Sequence, residues 1–118
     1  MLDSAIAQKS YNFAVDITKL YKDLIMNKKE YILSKQVLRS GTSVGANIKE
    51  AFRGYSRKDF FFKMNIALKE AEETEYWLQL LIDSDYIDNE EGKKILDKCK
   101  EICKILNSIS KKANKDNN

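Results

Sequence analysis

Cys99 and Cys103 form the one residue pairing in the chain that offers redox or soft-metal chemistry. They stand four apart in a helical pattern, one turn above each other on one face, where disulfide geometry fits poorly and no second ligand pair follows. Reduced core thiols are the expectation, with a vicinal redox or metal pair as the weaker reading. Carboxylates number 18, but the chain has no histidine. That removes the Glu-x-x-His pairs of a di-iron bundle, the commonest zinc ligand and the base that activates a Ser or Cys nucleophile. The run GTSVGANIK, from Gly41 to Lys49, has two glycines of a phosphate loop. It lacks the GK[ST] ending and lies inside a helical pattern, not after a strand. No catalytic residue, metal site, cofactor or small-molecule substrate is expected.

Charge is the chemistry that remains. Lys and Arg total 21, for a net charge of +3. From Glu70 to Glu91 there are nine acids and no Lys or Arg, whereas eight lysines follow from Lys93 onward against Asp97, Glu101 and Asp116.

The elements that position these charges are helices. Proline is absent and there are only four glycines, so nothing interrupts long helices and little supplies the turns of a β-protein. At 118 residues there is room for one core. The apolar period predicts a first helix from about Ser4 to Met26 and a second from about Tyr31 to Arg53, with Gly54 as its left-handed terminator. Ser56 with Asp59 reads as the cap of a third helix reaching about Ser84, and Asp88 with Glu91 as the cap of a fourth. Short connections return each helix beside the last. The expected fold is all-α, an antiparallel up-down-up-down four-helix bundle, as a single domain over 1–112 with a polar tail over 113–118 that frays. Apolar runs such as Leu80-Leu81-Ile82 are too short for a bilayer and no stretch has the order of a signal peptide, so a cytoplasmic location without membrane contact is expected.

The stretch RSGTSVGANIKEA (Arg39 to Ala51), followed by IALKEAEETEYWLQLL (Ile66 to Leu81), resembles a family of four-helix-bundle proteins. These were first noticed as reading frames inside intervening sequences of bacterial 23S ribosomal RNA genes. The likeness spans nearly the whole chain. It implies a barrel-like ring, typically a pentamer, and a distant kinship with the accessory protein that partners the reverse transcriptase of diversity-generating retroelements. A reverse transcriptase-like partner, RNA or DNA is what that kinship implies.

Gly41 and Gly45 form a small-x-x-x-small pair that lets another helix approach closely. Beside them Ser43, Asn47 and Glu50 continue a polar stripe, and Glu72 and Glu75 flank the third helix, so an interhelical polar network around Asn47 is expected. Phe60, Phe61 and Phe62 are consecutive, and at about 100° per residue one helix cannot turn all three into one core. Phe62, Ile66, Trp77 and Leu80 then make a second apolar stripe, predicted to be a homo-oligomer interface.

In the expected topology Arg53, Arg57, Lys58, Lys111, Lys112 and Lys115 converge on one end with Tyr55, and Asp83, Asp85, Asp88, Glu90 and Glu91 on the other. A basic rim repeated around a ring suits phosphate, because neutralised phosphates release counterions. The leading functional expectation is therefore a non-enzymatic oligomeric scaffold holding RNA, DNA or a nucleic-acid enzyme. A protein-interaction module that never touches nucleic acid is the competing one.

Overall fold

Buried side chains recur along each helix at alternating steps of three and four, which dictates a bundle. The computed structural model describes residues 2–116, with side chains from 5 to 113. It contains α1 (Leu2–Met26), α2 (Leu33–Ala51), α3 (Arg57–Asp83) and α4 (Asn89–Asp116), and no strand among the described residues. Ile6, Ser10, Phe13, Ile17 and Leu24 of α1 face Val37, Gly41, Val44, Ile48 and Ala51 of α2. From α3 come Met64, Ala67, Ala71, Thr74, Leu78 and Leu81, and from α4 Leu96, Cys99, Cys103 and Leu106. A repeat near 3.5 residues keeps each stripe on its neighbour when helices pack at a shallow angle. The result is a rod of 48 × 24 × 21 Å.

Ion pairs and hydrogen bonds set the register. Glu50 accepts from Lys63 at 3.0 Å, and Arg39 donates to Glu70 at 3.2 Å and also to Glu73. Lys98 donates to Asp16 at 2.8 Å, and Lys9 pairs with Glu101. Later residues of α2 therefore meet earlier residues of α3, as earlier residues of α1 meet later residues of α4. Gly41 and Gly45 let α1 come close. A Cβ on Gly41 would lie 2.9 Å from Ile17 Cγ1, and one on Gly45 3.4 Å from the Ser10 carbonyl oxygen.

The helix ends explain where the boundaries depart from the expected ones. Ser56 caps α3 as its sequence predicts, its hydroxyl accepting from the Asp59 N–H at 3.1 Å. Asp88 Oδ1 accepts from the Glu90 N–H at 2.9 Å at the start of α4. Helix α2 begins at Leu33, because the Glu30 carboxylate takes the N–H groups of Ile32, Leu33 and Ser34 at 3.2, 2.9 and 2.7 Å. Gly54 is not left-handed: positive φ occurs at Lys29 (55°) and Asp85 (66°) and at no glycine. α2 ends instead by tightening, with the Arg53 N–H on the Glu50 carbonyl and the Gly54 N–H on that of Ala51. Gly54 serves close approach, since a Cβ there would meet Asp59 Cβ at 3.2 Å.

Helix α4 continues through Asp116. Ala113 is buried. Residues 117 and 118 and the side chain of Lys115 lie outside the described residues. Among the described residues no helix is long and apolar enough to cross a membrane.

Candidate nucleic-acid interface

The turn between α2 and α3 builds the basic end. Its two braces are the tightened end of α2 and the Ser56 cap of α3, and between them Arg53, Tyr55, Arg57 and Lys58 are all exposed. Lys111 and Lys112, near the end of α4, are exposed too. Arg57 and Lys112 line one groove, whose floor is Ile6, Phe52, Phe60, Phe61, Met64 and Ile109. Arg53 lines the adjacent groove with Lys49, and Phe52 borders both. No acidic residue lines the first groove among the described residues. The end is aromatic as well as basic. Phe52 and Phe60 have ring centroids 5.5 Å apart, Phe60 and Phe61 5.2 Å, and the Arg57 guanidinium carbon lies 5.3 Å from the centroid of Phe61. Sequence reasoning missed the groove. Its signal was FRGYSRKDFFF, aromatic and basic residues interleaved across a turn.

The acidic end is less uniform than its sequence suggests. Asp88 and Glu91 are exposed, yet they border a cleft between α1 and α4 that also holds Lys19, Lys28 and Lys94.

The expected polar network does not form around Asn47. The Asn47 amide donates to the Ser43 carbonyl at 2.9 Å and the Ser43 hydroxyl at 3.0 Å, both within α2, and Glu50 is taken by Lys63. Glu72 and Glu75 lie instead toward Cys103 on α4. The buried polar link between α2 and α3 is the Ser40 hydroxyl donating to Thr74 Oγ1 at 2.8 Å, while Thr74 gives its own proton to the Glu70 carbonyl at 2.7 Å, with Ser40 and Thr74 fully buried. A hydroxyl pair satisfies itself in the core where a carboxylate would need a counter-charge.

On α3 Phe62 is 62% exposed, while Ile66, Trp77 and Leu80 are half-buried. Tyr76, 61% exposed, extends this strip and packs its ring edge-on to Trp77 at 5.1 Å. The Trp77 indole N–H donates to Glu73 at 2.9 Å. That bond and the one from Arg39 outweigh burial and hold the Glu73 carboxyl below its ordinary range.

The profile of the 23S rRNA-intervening sequence protein family matches residues 3–108. The chain belongs to that family. It is also similar to a solved crystal structure from Bacteroides thetaiotaomicron, described as a protein of unknown function from the S23 ribosomal protein family. Identity is 55% and the TM-score 0.91, over 94% of this chain and 99% of the other. No curated protein matches. In this member of the 23S rRNA-intervening sequence proteins both thiols are free and buried, Cys99 Sγ donating to the Ala71 carbonyl at 3.3 Å. Among the described residues no group of three or more Cys, Asp or Glu is placed to hold a metal ion.

Proposed function

We propose that the chain is a non-enzymatic, cytoplasmic scaffold: an antiparallel up-down-up-down bundle that assembles with its own copies and holds RNA or DNA, or an enzyme bound to them, at its basic end. The observation that carries this reading is the meeting of Arg57 and Lys112 in one groove. Arg53, Lys58 and Lys111 are exposed around it. Lysines at a helix C-terminus also answer its dipole. That accounts for Lys111 and Lys112, and for Arg53 just past the end of α2, but not for Arg57 and Lys58 at the start of α3. The register of the ion pairs supports the antiparallel order, and the exposed strip around Phe62 supports self-association, since a monomer gains nothing from a solvated aromatic ridge.

Binding through phosphates is salt-sensitive and largely indifferent to sequence. Replacing Arg53, Arg57 and Lys58 together by Glu should abolish retention on heparin and reduce the dependence of oligonucleotide affinity on salt. Unchanged binding by that triple variant would remove the basic end from the function. The protein-interaction reading would then take its place, with the Phe62, Tyr76 and Trp77 strip as the surface that favours it.

A further inference from the structure

Cations alone suffice to hold phosphates, yet the basic end also presents aromatic faces that phosphates do not use. Tyr55 is 102% exposed, against 65% for Tyr11, 53% for Tyr31 and 61% for Tyr76. Its ring gains nothing from the fold. It stands between Arg53 and Arg57 on a turn braced at both sides, by the Gly54 N–H on the Ala51 carbonyl at 3.2 Å and the Asp59 N–H on the Ser56 hydroxyl at 3.1 Å. Bracing the turn lowers the backbone freedom that is lost when something stacks on the ring. Two residues on, Arg57 lines with Lys112 the groove whose apolar floor includes Phe52, Phe60, Phe61 and Met64.

Resting on the nucleic-acid reading of this end, we infer that it takes single-stranded nucleic acid: one unpaired base stacks on Tyr55, another enters the groove against Phe52 and Phe61, and the cations hold the phosphates between. In a duplex the faces of the bases are covered by their neighbours, so an aromatic shelf and an apolar slot have nothing to receive. An unpaired strand offers flat apolar faces carried on a chain of negative charge, which matches an apolar floor with a cationic rim. Every base has such a face. The selection is therefore for strandedness and not for sequence.

The test is fluorescence anisotropy of the full chain at low salt, with a labelled unstructured oligonucleotide and the same sequence annealed as a blunt duplex. The single strand should bind more tightly. Tyr55→Ala should weaken the single strand by about tenfold and leave its salt dependence unchanged, because it removes a stacking face and no charge. Tyr55→Trp should restore the affinity. Tyr55 packs on nothing, so these variants fold. Lys112→Glu should weaken both forms and flatten the salt dependence. Equal or tighter binding of the duplex, or a Tyr55→Ala variant as good as the parent, would overturn the inference while leaving the basic-end reading intact. Failure to bind either form would overturn both. Vesicles of phosphatidylglycerol provide a separate arm, and binding to them with no binding to the single strand would make Tyr55 an anchor for anionic lipid and overturn both.

Discussion

Glu30 and Ser34 hold one another at the start of α2: the Ser34 N–H donates to Glu30 Oε2 at 2.7 Å while the Ser34 hydroxyl donates to the Glu30 carbonyl at 2.8 Å. With the Ile32 and Leu33 N–H groups also on Oε1, one carboxylate satisfies three donors that a helix start leaves open. Glu30 is only 8% exposed. Burial is the largest influence on it and works against the charged form, but these hydrogen bonds together prevail and hold its carboxyl below the ordinary range.

Glu30→Gln is therefore expected to destabilise the fold by about 1–3 kcal/mol at neutral pH, since one oxygen becomes a donor facing other donors. The folded-state pKa is depressed, so the stabilisation is full above the unfolded value of about 4.3 and is lost as pH falls through the folded one. Denaturant unfolding of parent and variant between neutral pH and about pH 3 checks it. The gap should be constant above about pH 5 and narrow below about 4.3. A gap that ignores pH would show that charge is not what the cap supplies.

Gly41 and Gly45 look alike in sequence and differ in the space around them. A Cβ at Gly41 would press on Ile17 Cγ1 and Cγ2 at 2.9 Å and on its Cβ at 3.3 Å, and a β-branched side chain on a neighbouring helix has little room to give. Gly41→Ala should cost about 1–3 kcal/mol. At Gly45 the nearest atoms are 3.4 Å away, so Gly45→Ala trades slight crowding against better helix propensity and should stay within about 1 kcal/mol of the parent. Thermal melts of the two single variants decide it, and similar losses for both would refute the distinction.

The bundle was legible because its signal is periodic and local. Val37, Gly41, Val44 and Ile48 announce the buried face of α2 by spacing alone, and Ser56 caps α3 through an interaction three residues long. Glu30 was not legible, because its role depends on Lys29 taking a left-handed turn that no propensity of lysine suggests. Gly54 misled in the opposite sense, since glycine at a helix end serves either a positive φ or a close neighbour, and only the position of Asp59 says which. Ser40 and Thr74 were hidden in polar runs, where hydroxyls facing a core cannot be told from hydroxyls facing water. At the candidate site the cations could be read from the topology. The groove between them needed the rings of Phe52, Phe60 and Phe61 in three dimensions.

The thiols make a kinetic prediction. Cys99 is pushed well up, first by its hydrogen bond to Cys103, then by burial and by Glu75, and the same bond favours the thiolate of Cys103. Cys99 is fully buried and Cys103 is 7% exposed. Burial keeps both sulfurs from reagent even though the thiolate of Cys103 is favoured, so a disulfide reagent should find no rapidly reacting thiol in the native protein. Slow reaction through local opening should occur at Cys103, vanish in Cys103→Ser, and give way to reaction at both sites in denaturant. Rapid native modification at Cys99 would contradict the burial on which this rests.

Self-association makes the last prediction, and the chain carries its own reporter. Trp77 is the only tryptophan, and it sits half-buried in the strip that Phe62 and Tyr76 leave to solvent. If sister molecules cover that strip, light scattering at micromolar concentration gives a mass well above 13.7 kDa, and Trp77 emission shifts to the blue as concentration rises. An aromatic at the centre of an interface contributes about 2 kcal/mol or more, and a carboxylate put in its place is desolvated without a partner. Phe62→Asp should therefore drive the assembly toward single chains and remove the concentration dependence of the emission. Tyr55→Ala, at the far tip of the basic end, should leave both unchanged. A parent protein that scatters as a lone chain would leave the strip without its proposed cover, and the basic ends would then act singly, each binding nucleic acid without the gain in avidity that linked copies provide.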